Sequence, residues 1–160
     1  MLYALAGKPL NDVRVHTPVD WLEIRNDLMG DNLWEEAMND AIVETCVDSF
    51  GYFGAKILRW KVLDFENEPD DSRLLVKNVY KSIERAMEFI QEEAEKRDAK
   101  FLTCDRICLA DVWLLCSLHQ AQLVYTDILK QNDWMNDFVS KVEYDKRIKE
   151  YLNTRVSTPI

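Results

Sequence analysis

Asp105-Arg106-Ile107-Cys108-Leu109-Ala110-Asp111-Val112-Trp113-Leu114-Leu115-Cys116-Ser117-Leu118 decides the fold, because it is the only segment of the chain that is apolar on nearly every face. A helix of that kind has no solvent side and belongs at the centre of a core. Asp111 stands three residues after Cys108. A carboxylate there accepts from first-turn N–H groups that have no intrahelical partner and, inside a core, no water. Its expected role is structural.

Upstream of this helix two longer helical patterns are expected. One runs from Asn32 to about Lys61, with Leu33, Ala37, Ala41, Val43, Val47 and Phe50 inward and Gly51 and Gly54 loosening it. After an acidic loop over 66–71 that contains Pro69, Leu74, Leu75, Val79, Ile83, Met87 and Ile90 recur at helical spacing. Downstream, Trp134, Phe138 and Val142 mark a short helix, and Ile148, Tyr151 and Leu152 a last one. The start of the chain reads differently. Residues 1–6 end an amphipathic helix stopped by Gly7 and Pro9, residues 12–15 alternate as a strand, and Thr17-Pro18 opens a short helix with Trp21, Ile24 and Leu28 on one face.

A chain of 160 residues supports a core without staples. The formal charge of −9 argues against nucleic acid and anionic membrane surfaces as partners, since both reward a basic face. The opening Met1-Leu2-Tyr3-Ala4-Leu5-Ala6 is too short for a membrane span and lacks a secretory pattern, so a cytoplasmic location is expected. Cysteines at 46, 104, 108 and 116 lack zinc-ligand spacing and read as buried thiols. His16 and His119 are too few for a metal cluster. Asp40, Glu44 and Asp48 form a carboxylate stripe at four-residue spacing, read as a solvated face rather than a cation site. No metal is expected.

At its central helix the chain resembles the glutathione transferases. Ile107-Cys108-Leu109-Ala110-Asp111 is similar to the (Ser/Thr)-x-Ala-Asp box that opens the central helix of their C-terminal domain, with Cys108 replacing the capping hydroxyl by a poorer acceptor. Cys108 and Asp111 are thus identified as a structural helix cap. Asp40-Ala41-Ile42-Val43-Glu44, Ile148-Lys149-Glu150-Tyr151-Leu152-Asn153-Thr154-Arg155 and Thr158-Pro159 resemble the sigma-type branch, which is prostaglandin D synthase-like and nematode-like. The resemblance implies a mainly α fold. A glutathione transferase C-terminal helical bundle over residues 30–160 would follow a truncated thioredoxin-like α/β remnant over residues 1–29.

It also implies the activity: conjugation of the glutathione thiolate to hydrophobic electrophiles, or glutathione-dependent isomerisation, by a cytoplasmic homodimer serving detoxification. The chain departs from that pattern. Asp27-Leu28-Met29 passes directly to Gly30-Asp31-Asn32, where the family places a strand pair and a helix. No residue matches the tyrosine that activates the glutathione sulfur, Tyr3 lying within the matched first helix. No catalytic residue is therefore assigned. The cis-proline and the Gln-Ser pair that hold glutathione are also unmatched.

Three positions do match glutathione contacts: Trp21 and Arg25 at the glycyl end, and Asp48, which reaches the γ-glutamyl amine of the neighbouring subunit. Trp21 and Arg25 lie four apart on one helix face, which also suits plain amphipathic packing with a surface charge. Charge-assisted hydrogen bonds contribute roughly 1.5–3 kcal/mol each. Losing two or three exceeds the roughly 4 kcal/mol behind millimolar affinity, so glutathione is expected to bind weakly or not at all. The rival expectation is a non-catalytic helical module that binds ligands or pairs with full-length relatives. Aromatic residues Tyr52, Phe53 and Trp113 with the tail Pro159-Ile160 would border the electrophile pocket.

Overall fold

A computed structural model describes residues 28–63 and 67–154. They form six α-helices and one 3₁₀ turn, with no strand among the described residues. The helix at 1–6, the strand at 12–15 and the helix bearing Trp21 and Arg25 lie outside the described residues, as does the tail Pro159-Ile160.

Helix α1, Leu33–Phe50, begins where the Asn32 side chain accepts from the N–H groups of Trp34 and Glu35, each at 3.1 Å. Glu35 and Glu36 in the first turn complement the helix dipole. Its buried face is Asn39, Ile42 and Cys46, with Val43 and Phe50 half-buried against the core. The expected inward set was rotated. Leu33 is 83% exposed and Val47 41%, and Ala37 and Ala41 also face outward. Apolar residues lie on both sides of this helix, so periodicity alone could not choose, and the winning face contains a polar residue whose hydrogen bonds are made inside the core.

The chain breaks at Gly51 and resumes as α2, Tyr52–Lys61, which buries Ile57. A Cβ at Gly51 would meet the Val47 carbonyl oxygen at 2.5 Å, so the one long helix expected over 32–61 is two. Helix α3, Ser72–Glu95, buries Leu75, Val79, Ile83, Ala86, Met87 and Ile90. Leu74, expected in that stripe, is 58% exposed.

Helix α4, Leu109–Val124, is central. Leu109, Ala110, Asp111, Val112, Leu114, Leu115, Ser117, Leu118 and Ala121 are all buried. Helices α1 and α2 pack on it and on α3. The 3₁₀ turn Leu129–Gln131 leads to α5, Asp133–Glu143, whose start is capped by Asn132 accepting from Met135 N–H at 3.0 Å. Helix α5 lies against α4 and α3, and α6, Lys146–Thr154, closes on α5 through Ile148. Fully burying each such aliphatic side chain contributes about 1.5–3 kcal/mol, so the fold rests on α4 and the stripes facing it. Among the described residues no helix is long and apolar enough to cross a membrane.

Candidate functional site

Polar groups converge at the start of α4. Asp111 is completely buried there. Its Oδ2 accepts from the Cys108 N–H at 2.8 Å and its Oδ1 from the Leu102 N–H at 3.0 Å. Burial pushes this carboxyl up to about 6, against the pull of those N–H groups in the other direction. From α1, Asn39 donates to Thr103 Oγ1 at 2.9 Å and accepts from the Ala110 N–H at 3.0 Å. The thiols of Cys104 and Cys108 both donate to the Arg106 carbonyl, at 3.2 and 3.5 Å. Burial, then the neighbouring Cys104 thiol, pushes Cys108 up to about 12, and burial does the same to Cys46. Such thiols are protonated at neutral pH and are packing groups rather than nucleophiles. Cys46, Cys104 and Cys108 are buried thiols, and Cys116 is half-buried.

Asp48, the one residue expected to contact glutathione that lies among the described residues, stands exposed in the last turn of α1. It borders an open groove of about 300 Å³ between the α1–α2 junction and α3, with Asp71, Asn78 and Ser82 across from it and Leu75 in the lining. The groove offers carboxylates, an amide and a hydroxyl, a set suited to hydrogen-bond an ammonium group. Next to it, beyond Gly54, Phe50, Ile57, Val79, Ile83 and Tyr125 enclose an apolar niche of about 20 Å³, room for about one water-sized group. Trp113 is half-buried and packs against the core. Trp21 and Arg25 lie outside the described residues, so no distance relates them to Asp48. No group of three His, Cys, Asp or Glu side chains that could hold a metal ion occurs among the described residues. His119, on α4, is paired through Nε2 with Glu143 Oε1 at 2.9 Å.

Three polar residues of this architecture were missed in the sequence. Asn39 bridges α1 to α4 and carries a weak signal only in hindsight, standing three and seven residues before Ile42 and Cys46. Arg106 ties the chain before α1 to the start of α4, bonding the Met29 carbonyl and, at 2.9 Å, Asp31 Oδ1. Arg97 closes the end of α3, donating from Nη1 to the Leu102 carbonyl at 2.8 Å. Neither arginine announces its partner by spacing.

Among curated protein sequences no relative matches. Among solved structures, the glutathione S-transferase from Ascaris lumbricoides aligns over 99% of this chain and 91% of its own, with a TM-score of 0.78 at 16% identity. A C. elegans GST aligns over 99% and 90%, with a TM-score of 0.74 at 20% identity. A monomeric glutathione S-transferase of the hookworm Necator americanus aligns over 99% and 91%, with a TM-score of 0.76 at 16% identity. At these identities the likeness is one of fold. The family described as glutathione S-transferase, C-terminal domain, matches residues 57–155, more than half of the chain. With the buried α4 and its capping carboxylate inside the matched range, the chain belongs to the glutathione S-transferase C-terminal domain family.

Proposed function

We propose that this chain is a sigma-type, cytoplasmic glutathione transferase-like protein whose conjugating or isomerising activity is impaired. Residues 1–29 are read as a remnant of the glutathione-binding domain and residues 30–160 as the all-α domain. The observation that carries this reading is the passage from Met29 to Leu33. Arg106 holds Met29 and Asp31 against the start of α4, and α1 begins at Leu33. Three residues lie between Met29 and Leu33, too few for the strand pair, cis-proline and Gln-Ser helix on which the family holds glutathione. Of that cradle, Trp21, Arg25 and Asp48 remain as candidate contacts, with Asp48 read as the acceptor for the γ-glutamyl amine of glutathione in the neighbouring subunit.

Glutathione held without that cradle is poorly oriented, and a misplacement of about 1 Å can lower rate by about a hundredfold. Conjugation of glutathione to 1-chloro-2,4-dinitrobenzene is therefore expected to run about a hundredfold slower than with a full-length relative. A comparable rate would overturn the reading and make Tyr3 the first residue to replace.

A second reading, a non-catalytic module that pairs with its own copies or with full-length relatives, is favoured by the outward apolar residues flanking Asp48. Val47 is 41% and Leu74 58% exposed. Sedimentation of the chain alone, and mixed with such a relative, decides it: a monomer in both cases removes the pairing version.

A further inference from the structure

We infer that the solvent face of α3 is an interaction surface for the same helix of a second copy of this chain, laid antiparallel to it. This rests on the reading that the chain pairs with its own copies, and adds the surface and the register by which it does so.

Opposite its buried residues Leu75, Val79, Ile83 and Ile90, α3 exposes a line of charge. Arg73, Lys77, Lys81 and Arg85 stand at four-residue spacing along its first half, and Glu88 and Glu92 continue the line along its second. A solvated helix face ordinarily mixes the signs, an acid preceding a base by three or four residues. Here the neighbours at four-residue spacing are alike: Arg73 with Lys77, Lys77 with Lys81, Lys81 with Arg85, and Glu88 with Glu92. Like charges so spaced destabilise a helix. No ion pair joins any of these residues to another among the described residues. The order of the signs also opposes the helix dipole, with Arg73 in the first turn and Glu92 and Glu95 in the last. The pattern costs α3 stability within one chain, so its compensation lies outside that chain.

A second copy supplies it. In a two-fold pair one face is presented twice, and residue i meets j as j meets i. Turning α3 end for end brings the basic half of one copy against the acidic half of the other. With the axis between residues 84 and 85, Lys81 comes opposite Glu88 of the second copy and Lys77 opposite its Glu92, and the same two pairs recur across the axis. A parallel arrangement would set like against like, so the charges fix both direction and register. Leu74 and Phe89, 58% and 39% exposed on the same helix, are apolar surface for a neighbouring helix to cover. The formal charge of −9 on each copy opposes association at long range. That repulsion is screened beyond about 8 Å at physiological ionic strength, which is the condition for the test.

Lys81 and Glu88 are exposed, so reversing either charge leaves the fold intact. Sedimentation of the full chain up to millimolar concentration is expected to show a concentration-dependent dimer. Lys81→Glu and Glu88→Lys should each weaken it by at least about tenfold, since one reversal sets like charges against each other at two places. Mixed together, the two variants should pair with each other about as well as wild type does with itself, because every facing pair is again of opposite sign. A wild-type chain that stays monomeric throughout would overturn the inference together with the pairing reading. A dimer that neither substitution weakens would leave pairing standing and overturn α3 as its surface. Variants that each weaken the dimer and stay apart when mixed would overturn the antiparallel register.

Discussion

Replacing Asp111 by alanine strands two buried N–H groups, those of Cys108 and Leu102. Each unsatisfied donor costs about 1–3 kcal/mol, so Asp111→Ala is expected to destabilise by about 2–5 kcal/mol in urea unfolding. A change under 1 kcal/mol would mean that water or the Cys108 sulfur replaces the carboxylate. Asp111 also sets a pH dependence. Its folded pKa of about 6 lies above the ordinary 3.8, so the folded state holds the proton more tightly than the unfolded chain. This contribution is fully present below about pH 4 and is lost as pH rises to about 6, on the order of 3 kcal/mol in all. Asp111→Asn removes the titration. The stability difference between wild type and this variant should therefore move against wild type from pH 4 to 6 and stay flat above; a difference constant across that range would contradict it. At Gly51 the relevant fact is space. Gly51→Ala meets the Val47 carbonyl and should cost about 1–3 kcal/mol. Gly54→Ala meets nothing within 4 Å inside a helix and should stabilise by up to about 1 kcal/mol.

Among the elements, those with one clear apolar pattern were readable and those with two were not. Helix α4 is apolar all round and α3 repeats Leu75, Val79, Ile83, Met87 and Ile90, so both follow from spacing. Helix α1 has apolar residues on opposite sides, and a buried asparagine settles which side is inward. No hydrophobic count would rank Asn39 above Leu33, because its burial depends on Thr103 and Ala110, more than sixty residues away. The candidate site was legible in part for a related reason: Asp48 could be placed on α1, but the groove facing it is made by α3. Asn39→Ala should expose the weakness of the α1–α4 joint. Losing its bond to the Ala110 N–H and its partner Thr103 is expected to cost about 2–4 kcal/mol, and amide exchange at Ala110 should quicken more than at Leu115, deeper in the same helix. Equal protection at both positions would show that the joint does not depend on Asn39.

For the whole molecule, the helical domain shows the family, and the loss of glutathione binding is the proposal to be tested. The all-α architecture, with α4 at its centre, is that of the glutathione S-transferase C-terminal domain, whereas the three residues between Met29 and Leu33 are, on the proposed reading, too few for the family's glutathione cradle. With Asp48 assigned to the neighbouring subunit's glutathione, that reading leaves Arg25 as the charge-assisted contact within one chain, contributing roughly 1.5–3 kcal/mol and falling short of the roughly 4 kcal/mol that millimolar affinity requires. The most direct measurement is a calorimetric titration of glutathione into the purified chain, with its mass and oligomeric state checked in the same buffer. The expected result is no saturable heat at micromolar to low millimolar glutathione. Saturable heat in that range, lost on Asp48→Ala, would contradict the account and show a working glutathione site.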